Sequence, residues 1–181
     1  MTKRFSTILA LLIVSVLLVG FFQWRKDLER FHVGKPGSSR LGPPELYPDA
    51  ESISGAINPA VSQQNIAETI CTPGWSKTVR PPARITNAIK LGMMRERSLT
   101  DPSVYELDHL IPLELGGCPD CKENLWLEPY DTQPGAREKD KVENFLHREV
   151  CSGTMSLQEA QQAIAADWYK IYLQISSSKP Q

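Results

Sequence analysis

Asp108 and His109 stand side by side in "YELDHLIPLELGG", and Asn124 opens "NLWLEP" a short loop later. A carboxylate next to an imidazole can divide the work of phosphodiester hydrolysis. The acid holds a divalent cation that offsets charge on the phosphate, and a base with a pKa near neutrality takes a proton from water. Histidine suits the second role. Adjacent side chains of an extended segment point to opposite faces. Asp108 and His109 would therefore not chelate one ion as a pair; the acid would bind the cation while the imidazole faces water or substrate across it.

Such a pair needs a stiff frame, and the flanking pattern supplies one. "SVYELDHLIPL" reads as a strand up to Asp108, with Pro112 opposing further central pairing, and "NLWLEP" reads as a second short strand with Trp126 in the core. "GAREKDKVENFLHREVCSG" is a helix with Val142, Phe145, Leu146 and Val150 facing inward and Gly153 past its end. "SLQEAQQAIAADWYKIYLQI" opens with Ser156 and Glu159 at capping-box spacing and buries Leu157, Ala160, Ile164, Trp168 and Ile171. Upstream, "ARITNAIKLGMM" places Ile85, Ala88, Ile89 and Met93 on one helical face, after an "RPP" that stops any earlier helix. A hairpin backed by one helix is too small to be stable alone, so the flanking helices must complete the core. The expected class is α+β.

A chain of 181 residues holds one modest domain with appendages, and its net charge of −1 gives no whole-chain basic signature for nucleic acid. Locally, Lys77, Arg80, Arg84, Lys90, Arg95 and Arg97 share a stretch with one acid, Glu96. That pattern suits phosphate contacts and equally suits a solvated helix face.

Lys3 and Arg4 precede an apolar run, and counting from Phe5 reaches the roughly 20 residues that a membrane-crossing helix needs. The run ends in Phe21-Phe22-Gln23-Trp24, a good interfacial anchor and a poor cleavage site. An uncleaved signal anchor over residues 1–30 is expected ahead of a cleaved signal, which would leave the domain secreted. Arg25, Lys26 and Arg30 compete with Lys3 and Arg4, so charge alone leaves orientation open. Residues 31–60 read as a Pro/Gly/Ser-rich linker, 61–175 as the folded domain and 176–181 as a tail. Four cysteines behind an export segment suggest disulfides. The preferred pairing is Cys71–Cys151, whose long loop could contribute about 4–5 kcal/mol in the chain-entropy view. Cys118 and Cys121 could form a local disulfide, bind zinc with outside help or stay as thiols; the export signal puts the disulfide first.

Taken together, "DHLIPLELGG", "NLWLEP" and "AREKD" resemble the HNH endonucleases, the ββα-metal nuclease family, and more narrowly small bacterial HNH-like proteins that are exported or membrane-anchored. The likeness runs from about Thr69 to Trp168. It implies a ββα-metal hairpin-helix core with flanking helices, preceded here by a transmembrane helix and linker, and metal-dependent hydrolysis of nucleic-acid phosphodiesters. By the same resemblance, His109 is the general base, Asp108 a metal ligand, and Asn124 the residue that holds the loop and helps orient the histidine. The family's third position is a His or Asn on the helix, where this chain has Ala136. Asp140, one turn on, faces the same side and is the expected second ligand, its hard oxygen suiting Mg²⁺ or Mn²⁺ ahead of Zn²⁺. Glu143 and His147 are reserve ligands, and Glu114 is a loop residue beside the site. Lys77, Arg80, Arg84 and Lys139 are the expected phosphate-binding residues, making backbone contacts to DNA ahead of RNA. The expected location is a bacterial inner membrane, crossed once, with the domain on the periplasmic or extracellular side and no protein partner implied. The alternative is a catalytically inactive HNH-like binding module on the envelope, which the near-neutral charge and the missing helix histidine favour.

Overall fold

The computed structural model describes residues 54–130 and 132–177. The expected signal anchor over 1–30, most of the expected linker and the end of the expected tail lie outside the described residues, among which no helix is long and apolar enough to cross a membrane. The described chain is α+β, with helices set around a two-stranded antiparallel sheet. In order these are α1 (Trp75–Val79), α2 (Ala83–Glu96), β1 (Tyr105–His109), β2 (Leu125–Pro129), α3 (Ala136–Cys151) and α4 (Leu157–Ser177).

The strand register pairs Glu106 with Glu128, Leu107 with Leu127, Asp108 with Trp126 and His109 with Leu125. Strand alternation then gives the hairpin two unlike faces. Glu106, Asp108, Trp126 and Glu128 share one; Leu107, His109, Leu125 and Leu127 share the other. Helix α2 packs against both strands, and α3 lies along α4. The core gathers where the apolar stripes of α3 and α4 meet the loop between the strands. Val142, Leu146 and Val150 are fully buried, as are Leu115, Ile164 and Trp168. The stripe of α3 continues to Lys139, three residues before Val142, so a lysine occupies a core-facing position.

Ser156 and Glu159 form the expected capping box: the Ser156 N–H donates to Glu159 Oε2 at 2.9 Å, and the Glu159 N–H donates to Ser156 Oγ at 3.2 Å. Both expected disulfides are present, Cys71–Cys151 and Cys118–Cys121.

The "RPP" ends an earlier helix as expected, α1 stopping at Val79 with Arg80 at its C-cap. Three expectations need correction. The buried residue of α2 is Met94 rather than the Ile85–Met93 face, which stays half-buried or exposed. Helix α4 breaks at Asp167 (φ −163°, ψ 83°), whose Oδ1 accepts from the Lys170 N–H at 3.0 Å and so caps a second helical segment. The ordered domain also reaches back beyond residue 61. The Gly55 N–H donates to Glu123 O at 2.8 Å, the Asn58 N–H to Gly116 O at 2.8 Å, and the Cys118 N–H to Ala56 O at 2.9 Å. Backbone pairing, with little side-chain pattern to announce it, holds this segment.

Candidate active site at the end of the hairpin

The loop leaving β1 turns sharply at Gly116-Gly117. Gly116 has φ +71°, and a Cβ on Gly117 would fall 1.8 Å from the Ile111 carbonyl oxygen and 2.8 Å from Asn124 Nδ2, so no larger residue fits. Asn124, fully buried, fills the space this leaves. Its Oδ1 accepts from the Ile111 N–H at 2.9 Å, while Nδ2 donates to Ile111 O at 2.9 Å and to Cys118 O at 3.0 Å. With both amide hydrogens used inside the loop, Asn124 is a staple and has no donor left for a substrate.

The staple and the Cys118–Cys121 disulfide bracket Pro119, whose carbonyl lies 3.0 Å from His109 Nε2. A carbonyl can only accept, so Nε2 carries the proton and the lone pair resides on Nδ1. His109 is only 5% exposed. Burial lowers its pKa and outweighs the opposing pull of the Pro119 bond and the Asp108 charge, with the Arg80 and Lys139 charges adding to the downward shift. The imidazole is therefore neutral at pH 7.

Charge dominates the other face. Lys139 is 1% exposed, and its Nζ donates to the His109 carbonyl at 2.8 Å and to Glu143 Oε1. Nζ also lies 2.6 Å from Asp108 Oδ2, an ion-pair distance, yet this oxygen has no aligned hydrogen-bond donor. Glu128, across the hairpin, has its own buried Oε1 without a partner. Burial, with the Asp108 charge, pushes Glu128 up to about 10, so it is a neutral acid at pH 7 and donates to Asp108. Burial alone would raise Asp108, but the Lys139 ammonium and these hydrogen bonds hold it below the usual range. Glu143 is pushed up to about 7, burial outweighing the Lys139 attraction. Burial alone would lower Lys139, but the Asp108 and Glu143 charges outweigh it and shift it upward. Even so, one ammonium does not balance the acids. Glu106 and Asp140 are both raised, first by partial desolvation and then by the Asp108 charge.

The expected residues thus fall into several places. Asp108, His109 and Asn124 meet at the loop end of the hairpin. Asp140 is exposed and within the electrostatic reach of Asp108 and Glu114. Among the described residues, however, no group of three His, Cys, Asp or Glu ligand atoms within 4.8 Å of one another includes Asp108 or Asp140. The α3 side chain that meets Asp108 is Lys139. Glu143 faces that lysine, whereas His147 turns away, its Nε2 2.9 Å from Ile70 O. Lys77, Arg80 and Arg84 are exposed, and Arg80 is close enough for its charge to act on His109 and Glu106. Lys139 is corrected as a phosphate ligand, because its ammonium is enclosed by Asp108, Glu143 and the His109 carbonyl.

Sequence reasoning missed the central place of Lys139, the protonated Glu128 and the Pro119 carbonyl. The first two had signals. A lysine on the 139-142-146-150 stripe must bring partners inside, and alternation puts Glu128 on the Asp108 face once the register is known. A cavity of about 590 Å³ lies elsewhere, between Ser54–Gln63, Ile111 and the start of α4, and Asp108, His109 and Asn124 do not line it.

The donor set suits a hard divalent cation in kind: a buried carboxylate oxygen with no aligned donor, Asp108 Oδ2, within electrostatic reach of a second acid, Asp140, which desolvation and then the Asp108 charge raise. No family model, no curated protein and no solved structure matches the chain.

Proposed function

We propose that the chain is a metal-dependent endonuclease of the HNH kind that hydrolyses nucleic-acid phosphodiesters while tethered to, or exported across, a bacterial inner membrane. The observation that carries this reading is the state of His109: neutral, with Nε2 pinned by Pro119 and its lone pair on Nδ1, and with the Asp108 carboxylate on the opposite face of the same strand end in a hairpin backed by a helix. The resemblance of "DHLIPLELGG" and "NLWLEP" to that family points the same way.

Asp108 and Asp140, which lies within its electrostatic reach, would hold Mg²⁺ or Mn²⁺ ahead of Zn²⁺ through hard carboxylate oxygens. Bound there, the ion supplies positive charge against the phosphate and the leaving oxygen. His109 accepts the proton of the attacking water at Nδ1. Asn124 and the Cys118–Cys121 disulfide keep the Pro119 carbonyl in place and with it the tautomer. Arg80, with Lys77 and Arg84, would steady the phosphate backbone, giving salt-dependent, sequence-tolerant binding.

One observation favours a second reading, an inactive envelope module. Lys139 already neutralises Asp108, so a divalent ion must compete with a built-in ammonium. The full-length chain in detergent, given plasmid DNA or RNA with Mg²⁺, Mn²⁺ or Zn²⁺, separates the two. Cleavage that EDTA stops and His109→Ala abolishes is the expected result. Cleavage that survives His109→Ala removes the histidine from its role, and absence of cleavage under every condition leaves the binding module.

A further inference from the structure

Helix α3 carries a second group of ligand-type side chains, apart from Asp108. His147 and Cys151 sit one turn apart at its C-terminal end, and Cys71 meets them from the segment before α1. A ring nitrogen of His147 and the two sulfurs all lie within 4.8 Å of one another. While the sulfurs are joined they offer no thiolate. We propose that reduction of Cys71–Cys151 turns this corner into a Cys₂His site for a soft divalent cation, Zn²⁺ foremost, with water in the fourth position.

The geometry needs little change. Around a tetrahedral Zn²⁺, ligand atoms stand roughly 3.5–3.8 Å apart, which follows from the usual bond lengths. Thiolate and imidazole donors select zinc over the hard ions suited to Asp108. The ring of His147 is oriented independently of the disulfide, through the contact of Nε2 with Ile70 O at 2.9 Å. A backbone carbonyl on one ring nitrogen is how metal-binding histidines are commonly held. That same bond ties the residue before Cys71 to α3. Ile70 is buried, and the Leu157 N–H donates to Gln63 Oε1 at 2.6 Å, so the 62–71 segment keeps its own anchors to α3 and α4. The two sulfurs therefore remain neighbours once the bond between them is cut.

The chemistry balances with a dithiol as reductant. It gives two electrons and two protons and becomes a disulfide, while the Cys71–Cys151 bond opens to two thiols. Metal binding then releases both protons to solvent. Cys118, Asp120 and Cys121 form another close group, all within one four-residue loop, and must be removed from the test.

The experiment uses the full-length chain in detergent with Cys118→Ser and Cys121→Ser, reduced with a dithiol that is then removed without oxygen. Cobalt(II) serves as the spectroscopic probe and Zn²⁺ as the competitor. A thiolate charge-transfer band that saturates at one thiolate-bound Co²⁺ per chain and that Zn²⁺ removes is expected of the reduced chain and not of the oxidised one. His147→Gln should weaken binding at least about tenfold, and His147→Cys should restore it. A reduced chain without the band, or one bound equally well with Gln at 147, overturns the proposal. So does a reduced chain whose circular dichroism shows unfolding that Zn²⁺ does not reverse. Because nuclease activity enters none of these readouts, failure here is distinct from failure of the nuclease reading.

Discussion

On the His109 side of the hairpin, the buried amide of Asn124 meets backbone partners through neutral hydrogen bonds, and a disulfide closes the same loop. On the Asp108 side, one buried ammonium serves Asp108, Glu143 and a backbone carbonyl, while buried oxygens of Asp108 and Glu128 still lack aligned donors. The first side closes the loop and the second holds α3 to β1, and they do so by different physics. Neutral bonds in a satisfied loop fix geometry and are indifferent to pH. A crowded set of ionisable groups fixes geometry only while its protons are correctly distributed, and it leaves residual field. The contrast teaches where to look for chemistry: a frame is built from closed hydrogen bonds, and a reactive surface from the groups that frame leaves electrostatically unsettled.

The comparison can be broken or sharpened by substitution. The largest effect is expected from Lys139→Met, which leaves the half-buried Asp108 and Glu143 without their counter-charge. Equilibrium urea unfolding should show a loss of about 3–5 kcal/mol at pH 7. The loss should shrink toward pH 5, where Glu143, at about 7 in the folded chain, is protonated. Next comes Asn124→Ala, which strands the Ile111 N–H and two carbonyls; about 3 kcal/mol is expected. Its cost should be equal at pH 5 and pH 8, and a pH-dependent cost would erase the distinction between the two sides.

The third effect has the opposite sign. The folded-state pKa of Glu128 is raised from 4.5 to about 10, so its contribution is fully present below 4.5 and is lost as pH rises toward 10. Glu128→Gln removes that penalty while keeping a donor toward Asp108. Linkage predicts a gain of about 2–3 kcal/mol at pH 7, growing as pH is raised from 5 to 9 in thermal melts. Asp108, whose pKa is lowered, acts the other way and costs stability only as acid drives pH below its usual range.

Much of this frame was legible because its signals are local. The hairpin follows from two short strands around a Gly-Gly turn, the start of α4 from Ser156 and Glu159, and its buried face from Leu157, Ala160, Ile164, Trp168 and Ile171, all of them buried. What escaped depends on tertiary neighbours. Met94 rather than Met93 is buried because α2 rests on the two strands, and helical spacing alone does not say which edge of a stripe will be covered. Asp167 fits a continuous helical period, so the break there leaves little trace in the pattern. Lys139 lies next to Asp140 in the sequence, and choosing which of the two turns inward required extending the stripe of Val142, Leu146 and Val150 backward by one step. The chemistry of Asp108 depends on that choice.

Residues 55–58 hydrogen-bond to Glu123 and to the Gly116-Gly117 turn, and Cys118 donates back to Ala56. The chain segment arriving from the N-terminal side is thus stitched into the very loop that presents the Pro119 carbonyl to His109. Trimming the protein at residue 61 for easier handling would unpick that seam, and a shortened version that proves inert would speak about the cut rather than about the proposed activity. A pull on the chain from the residue 55 side would likewise arrive first at this loop, making it the place where mechanical load and imidazole geometry meet.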